Sequence, residues 1–119
     1  MPYVDGFVVA VPEKNLAAYR RIARACGKVW KDHGAISYVE CVGDDTPVGT
    51  LTSFPRAVKC EDTEVVVFSW ITYRSRKHRD SVNAKVMADP RMKTMMDPAK
   101  MVFDGKRLIY GGFKMMFAM

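Results

Sequence analysis

EVVVFSWITY (64–73) is the stretch that decides the fold. Ten residues rich in Val, Ile and aromatic side chains, with no Gly or Pro, predict a β-strand. Val65, Val67, Ser69, Ile71 and Tyr73 fall on one face, and Val66, Phe68 and Trp70 on the other. Both faces are apolar, whereas a strand with one wet face alternates apolar and polar. YVDGFVVAV (3–11) has the same character: Tyr3, Phe7, Val9 and Val11 lie on one side, Val4, Val8 and Ala10 on the other. Helices cover one side of such a sheet. A second copy of the sheet is the simplest cover for the other, because a bare apolar face of that size is an aggregation liability. The strand faces therefore predict a homodimer.

Upstream of this strand, Asn15 offers an N-cap for a helix running to about His33, with Gly34 just past its end. Leu16, Tyr19, Ile22, Ala23, Cys26, Val29, Trp30 and His33 share a face of that helix, and Arg20, Arg21, Arg24, Lys28, Lys31 and Asp32 share the opposite one. AISYVECV (35–42) reads as a second strand, and residues 43–55 as a long polar connection. Downstream, Ser75 caps a second helix that Asp89-Pro90 closes after Ala88, with one more helical turn over 91–96. Asp104-Gly105 marks a turn, residues 106–113 a fourth strand, and residues 114–119 a Met-rich tail. The order is βαββαβ. That is an α+β fold of ferredoxin-like type: a four-stranded antiparallel sheet with two helices on one face, forming one domain over 1–113.

Composition narrows the function classes. The 119 residues suit one domain, and 49% hydrophobic content argues against disorder. The net charge of +6 raises nucleic acid as a partner. The basic residues are scattered, however, and even the densest run (74–79) does not form the clustered footprint nucleic-acid binding needs, so that partner is not expected. Cys26, Cys41 and Cys60 are odd in number and widely spaced, which predicts reduced thiols in a cytoplasmic protein rather than a disulfide framework or a zinc site. No metal site and no cofactor are evident. The chain opens on a strand-like run, not a leader peptide, and no apolar stretch approaches the ~20 residues of a membrane span.

The segments YVDGFVVAV (3–11), VVFSWITY (66–73), DPRMK (89–93) and FDGKRLIYGGF (103–113) resemble the YbaA-like proteins, a bacterial family of unknown function within the dimeric α/β-barrel superfamily. The resemblance spans Tyr3 to Phe113, and the tail KMMFAM departs from it. It implies two sheets packed face to face in a dimeric α/β barrel, in agreement with the strand faces. It implies no activity, and fold alone selects none.

Five residues are candidates for chemistry. Asp5 is a carboxylate in an apolar strand, which must be paired, hydrogen-bonded or protonated. It is either a general base facing a pocket or a structural partner of Lys106 or Arg107 on the neighbouring fourth strand. Arg79 and Asn83 are four apart, beside Val82 and Val86, so two polar residues look toward the sheet. They either hold the polar group of a ligand or snorkel to the helix edge and bond nearby backbone. Trp70 is either buried at the core or dimer interface, or a wall against a flat ligand. His78 opens the second helix and is the better of the two histidines for haem; His33 sits where it meets helix-terminal carbonyls.

Three functions follow. The first is a homodimer binding a small, partly apolar molecule in a helix–sheet cavity at Trp70, Arg79 and Asn83. The second, suggested by the small oxygenases within the superfamily that the resemblance implies, is a small oxygenase, cofactor-independent or haem-using, with Asp5 and His78 as its catalytic candidates. The third is a nucleic-acid-binding domain.

Overall fold

The computed structural model of the chain describes residues 2–119. Four strands, β1 (Tyr3–Pro12), β2 (Ser37–Val42), β3 (Glu64–Tyr73) and β4 (Ile109–Lys114), form one antiparallel sheet in the order β2-β3-β1-β4. Helices α1 (Leu16–Asp32) and α3 (Arg76–Ala88) follow β1 and β3, and a short α4 (Pro90–Met95) follows α3. A four-residue helix, α2 (Phe54–Ala57), begins at the end of the polar connection and runs two residues beyond it. Its N-cap is Ser53, whose side chain accepts from the Arg56 N–H.

The central pair is β1 against β3, ten residues in register from Tyr3 opposite Tyr73 to Pro12 opposite Glu64. Period-2 alternation then sorts the side chains. Tyr3, Ile71 and Tyr73 pack under Val29 of α1 and Val82 and Val86 of α3, with Met92 of α4 closing that core. Val9, Val11 and Val67 extend it along the same face. Tyr73, Val82 and Val86 are completely or almost completely removed from solvent.

Ser75 caps α3 as its sequence position requires, accepting from the His78 N–H at 3.1 Å. Asp89 ends α3 in extended backbone and then caps α4 by accepting from the Arg91 N–H. Asn15 stands at the N-cap of α1 without capping it; its amide donates instead to the Val102 carbonyl at 2.9 Å.

The largest departure from expectation is at the fourth strand. Residues 106 and 107 are not in it. The Asp104 side chain accepts from the Lys106 N–H and stabilises a 3-10 turn over Gly105–Arg107, so β4 begins at Ile109 and runs on to Lys114. Arg107 is drawn away by Glu64, which takes its guanidinium through two bonds of 2.7 Å. Neither Lys106 nor Arg107 is the partner of Asp5. The residue beside Asp5 on β4 is Gly112, which Tyr3 overlies so closely that a Cβ there would stand 2.5 Å from the Tyr3 hydroxyl. Because Tyr3 is buried, a Gly112→Ala variant is expected to lose about 1–3 kcal/mol of stability through overpacking. Urea denaturation checks this, and an unchanged midpoint would show that Tyr3 moves aside freely.

The other sheet face carries Val4, Gly6, Val8 and Ala10 of β1, Val66, Phe68, Trp70 and Thr72 of β3, and Ile109, Gly111 and Phe113 of β4. Ser37, Val39 and Cys41 of β2 lie on it too; its one charged strand residue among those described is Glu64, at the end opposite Pro12, where Arg107 neutralises it. One end is covered by Val58, which packs on Val8, Ala10 and Val66, and by Phe54 against Phe68. The rest lies open: Phe68 is 40% exposed and Phe113 60%.

Candidate functional site

Between the helix layer and the sheet lies a cavity of ≈ 460 Å³. Asp5 and Phe7 of β1, Ser69 and Ile71 of β3 and Glu40 of β2 supply its floor. Trp30 of α1 and Arg79 and Asn83 of α3 stand above, and Met92, Met96, Phe103 and Leu108 complete the lining. The (i, i+4) spacing that put Arg79 and Asn83 on one helix face thus places both at the cavity.

Asp5, only 6% exposed, accepts from Arg79 Nη1 at 2.9 Å. Arg79 Nε donates to Asp80 at 2.8 Å, Nη2 reaches the Tyr3 hydroxyl at 3.4 Å, and the guanidinium carbon stands 4.9 Å over the Tyr3 ring. Burial works against the Arg79 charge, but Asp5, with Tyr3 and Asp80, outweighs it and holds the guanidinium above its ordinary pKa. The Asn83 carbonyl oxygen accepts from Trp30 Nε1 at 3.1 Å and from the Tyr73 hydroxyl at 3.3 Å. Its amide nitrogen makes no hydrogen bond to a described residue and remains a donor for something else. Burial, with Asp5 next, pushes the Tyr73 phenol well above its usual range.

The sequence reading missed Glu40. On β2 it faces the helices and sits opposite Ser69. It accepts from the Tyr19 hydroxyl at 2.7 Å. Burial raises its pKa, while the hydroxyls of Tyr19 and Tyr38 pull it back down. The signal was present in AISYVECV: a carboxylate between Val39 and Cys41 is the same anomaly as Asp5 in β1. Tyr19, Tyr38 and Glu40 also line a second, outer groove of ≈ 750 Å³ between α1 and the edge strand β2, which Arg20, Arg24, Lys28 and Lys31 border. These three side chains are the wall between groove and cavity. Gly27 makes room for that wall, since a Cβ there would meet the Tyr38 ring at 2.7 Å.

Trp70 borders the cavity in the sheet, but its ring belongs to the opposite face, 5.5 Å from Phe68. Arg79, Asn83 and Asp5 are therefore brought together, and Trp70 is turned away from them. His78 lies outside the cavity lining. Its Nδ1 accepts from the Arg74 N–H at 3.0 Å, its ring meets Tyr73 edge-on, and burial lowers its pKa. His33 does not spend its side chain on helix-terminal carbonyls. Its Nε2 stands 2.8 Å from Asp89, a residue remote in sequence that Arg91 also holds. Hydrogen bonds from Arg91 and His33 push the Asp89 carboxyl far below its usual range. A depressed carboxyl stabilises the fold above its unfolded pKa, and that contribution fades as pH falls through the lower folded value. Stability is expected to drop below about pH 4, and Asp89→Asn to flatten that part of the profile. Thermal melts across pH 2–7 check this; parallel profiles for the two proteins would remove Asp89 from the account.

Among the described residues, no group of three His, Cys, Asp or Glu side chains is placed to hold a metal ion. No helix among the described residues is long and apolar enough to cross a membrane.

A ferredoxin-like α+β domain with a partly polar cavity between its layers is thus the class that the fold and the site define. The chain belongs to the family described as protein of unknown function DUF1428, whose model matches residues 2–105. It is 53% identical over 114 residues to the uncharacterized protein YbaA of Escherichia coli K12, covering 96% of both chains, and shows the same identity and coverage with YbaA of Shigella flexneri. A de novo designed protein, Foldit4, aligns over 97% of this chain and 99% of its own at a TM-score of 0.49 and 12% identity.

Proposed function

We propose that this protein is a homodimeric α/β-barrel protein that takes a small, partly apolar molecule into the helix–sheet cavity of each subunit. The cavity carries the reading. Its ≈ 460 Å³ is of the size that small-molecule sites have, and it joins an apolar lining to a few convergent polar groups. The free Asn83 amide supplies one hydrogen-bond donor. Arg79 acts as a brace, because three of its five N–H donors are taken by Asp5, Asp80 and Tyr3. The open apolar part of the outer sheet face supports the assembly, since a second copy would cover Phe68, Trp70 and Phe113.

The test is a thermal-shift screen of small neutral and charged aromatics against wild type and Asn83→Leu. A ligand at a hundredfold excess over its Kd adds about 2.7 kcal/mol to stability. Wild type is expected to melt several degrees higher with such a ligand, and Asn83→Leu to show little shift. Equal shifts in both proteins would place binding elsewhere. Sedimentation velocity at micromolar concentration is expected to give twice the 13.5 kDa chain mass, and a monomer would overturn the assembly.

A further inference from the structure

We propose that Glu40 and Ser69 form the polar end of the cavity, and that together they take the hydroxyl of an uncharged apolar alcohol or phenol. This rests on the cavity being a ligand site and names the ligand's chemistry. Glu40 of β2 and Ser69 of β3 are direct cross-strand partners on the helix-facing side. Such partners hold their Cβ atoms roughly 4.5–5.5 Å apart, close enough for one small polar group to touch both.

Ser69 is 6% exposed, lines the cavity, and makes no hydrogen bond to any described residue. No fully sealed side-chain polar atom is left without a partner among the described residues. The Ser69 hydroxyl therefore keeps its remaining exposure toward the lumen. Buried hydroxyls are otherwise hydrogen-bonded as a rule, so an unpartnered one at a cavity wall marks a place for a ligand atom. Glu40 is complementary. One carboxylate oxygen takes the Tyr19 hydroxyl at 2.7 Å, and the carboxylate keeps further lone pairs for a donor. A ligand hydroxyl satisfies both residues at once, donating to Glu40 and accepting from Ser69.

Charge excludes the common alternative. The lining holds two carboxylates, Asp5 and Glu40, and one cation, Arg79, whose guanidinium is engaged by Asp5, Asp80 and Tyr3. Asp5 already balances the Arg79 charge, so a ligand carboxylate would add a negative charge close to Glu40 in a poorly solvated space. An ammonium ligand would have to shed its own ionic hydration as well as that of Glu40, and a neutral hydroxyl avoids the first of these costs. Phe7 and Ile71 beside this pair, with the methionines beyond, suit an apolar body.

The probes are 2-naphthol, 2-naphthoate, 2-naphthylmethylamine and naphthalene, titrated calorimetrically at neutral pH into the full chain. 2-Naphthol is expected to bind at least tenfold more tightly than the other three. Ser69→Ala is expected to weaken 2-naphthol roughly five- to tenfold, as loss of one neutral hydrogen bond does. Glu40→Gln is expected to weaken it tenfold or more and to narrow the gap to 2-naphthoate. If Glu40→Gln fails to fold, Ser69→Ala, which removes one oxygen atom, carries the test. Naphthalene, the carboxylate or the amine binding as tightly as 2-naphthol would overturn this inference and leave the cavity as a ligand site. So would unchanged 2-naphthol binding in Ser69→Ala. Absence of binding by all four probes would overturn the cavity reading and this inference with it.

Discussion

Asp5→Ala is expected to destabilise the protein by about 3–5 kcal/mol, the range for removing one partner of a buried ion pair. A domain of this kind has roughly 5–15 kcal/mol in all, so the variant loses a large share of its stability. The loss comes less from the bond itself than from what is left behind. Arg79 reaches inward from α3 with its side chain 20% exposed, and Asp5 at 8% is its principal neutralising group. Asp80 remains on the outer side but is 60% exposed and screened by water. Without Asp5, the guanidinium must stay uncompensated above the Tyr3 ring or swing out and open the α3–β1 contact. Arg79→Leu leaves the complementary fault, a lone carboxylate under the helix. The double variant Asp5→Ala with Arg79→Leu removes both charges, and much of the loss is expected to be recovered, so the single costs will not add. Urea denaturation of the four proteins measures this cycle. Additive losses, or a cost below about 1 kcal/mol for Asp5→Ala, would mean that the pair is no clamp and that Asp5 is solvated from the cavity.

How much of this was legible depends on the range of the interaction concerned. The strand at 64–73 and its two apolar faces follow from alternation alone, and so does the separation of Trp70 from Ser69 and Ile71 on either side of the sheet. The inward aim of Arg79 and Asn83 follows from helical spacing. The anomaly at Asp5 was equally visible, but its partner was not. Strand adjacency suggested Lys106 or Arg107. A local Asx-type bond at Asp104 instead curls those residues into a turn, and the neutralising charge comes from a helix 74 residues away. His33 and Asp89, 56 residues apart, met unpredicted for the same reason. Which charge answers which is decided by loop geometry, and short-range patterns do not encode it. Glu40 went unnoticed although its pattern matched that of Asp5, because β2 is an edge strand whose register against β3 had to be known before Glu40 and Ser69 could be seen as neighbours.

Phe68→Asp is the sharpest test of the assembly, with an expected rise in the dimer dissociation constant of roughly a thousandfold. In a twofold interface every substitution occurs twice, so two aromatic anchors are lost and two carboxylates must be desolvated without partners. Truncating one interface anchor typically costs about 2 kcal/mol or more, and two such losses correspond to that thousandfold change. The choice of residue separates assembly from folding. Phe68 is already 40% exposed in the single chain, touching Trp70 at 5.5 Å and Phe54 at 5.8 Å, so the monomer can present a carboxylate to water there. The variant is therefore expected to keep its circular dichroism spectrum while sedimenting as a monomer at micromolar concentration. Arg24→Asp, on the exposed face of α1, is the matched control: it is expected to remain dimeric, because that helix lies on the side of the sheet away from the proposed contact. A Phe68→Asp protein that still sediments as a dimer would move the interface off the outer sheet face. The open part of that face would then need a different partner to explain why Phe68, Trp70 and Phe113 were kept free of charge.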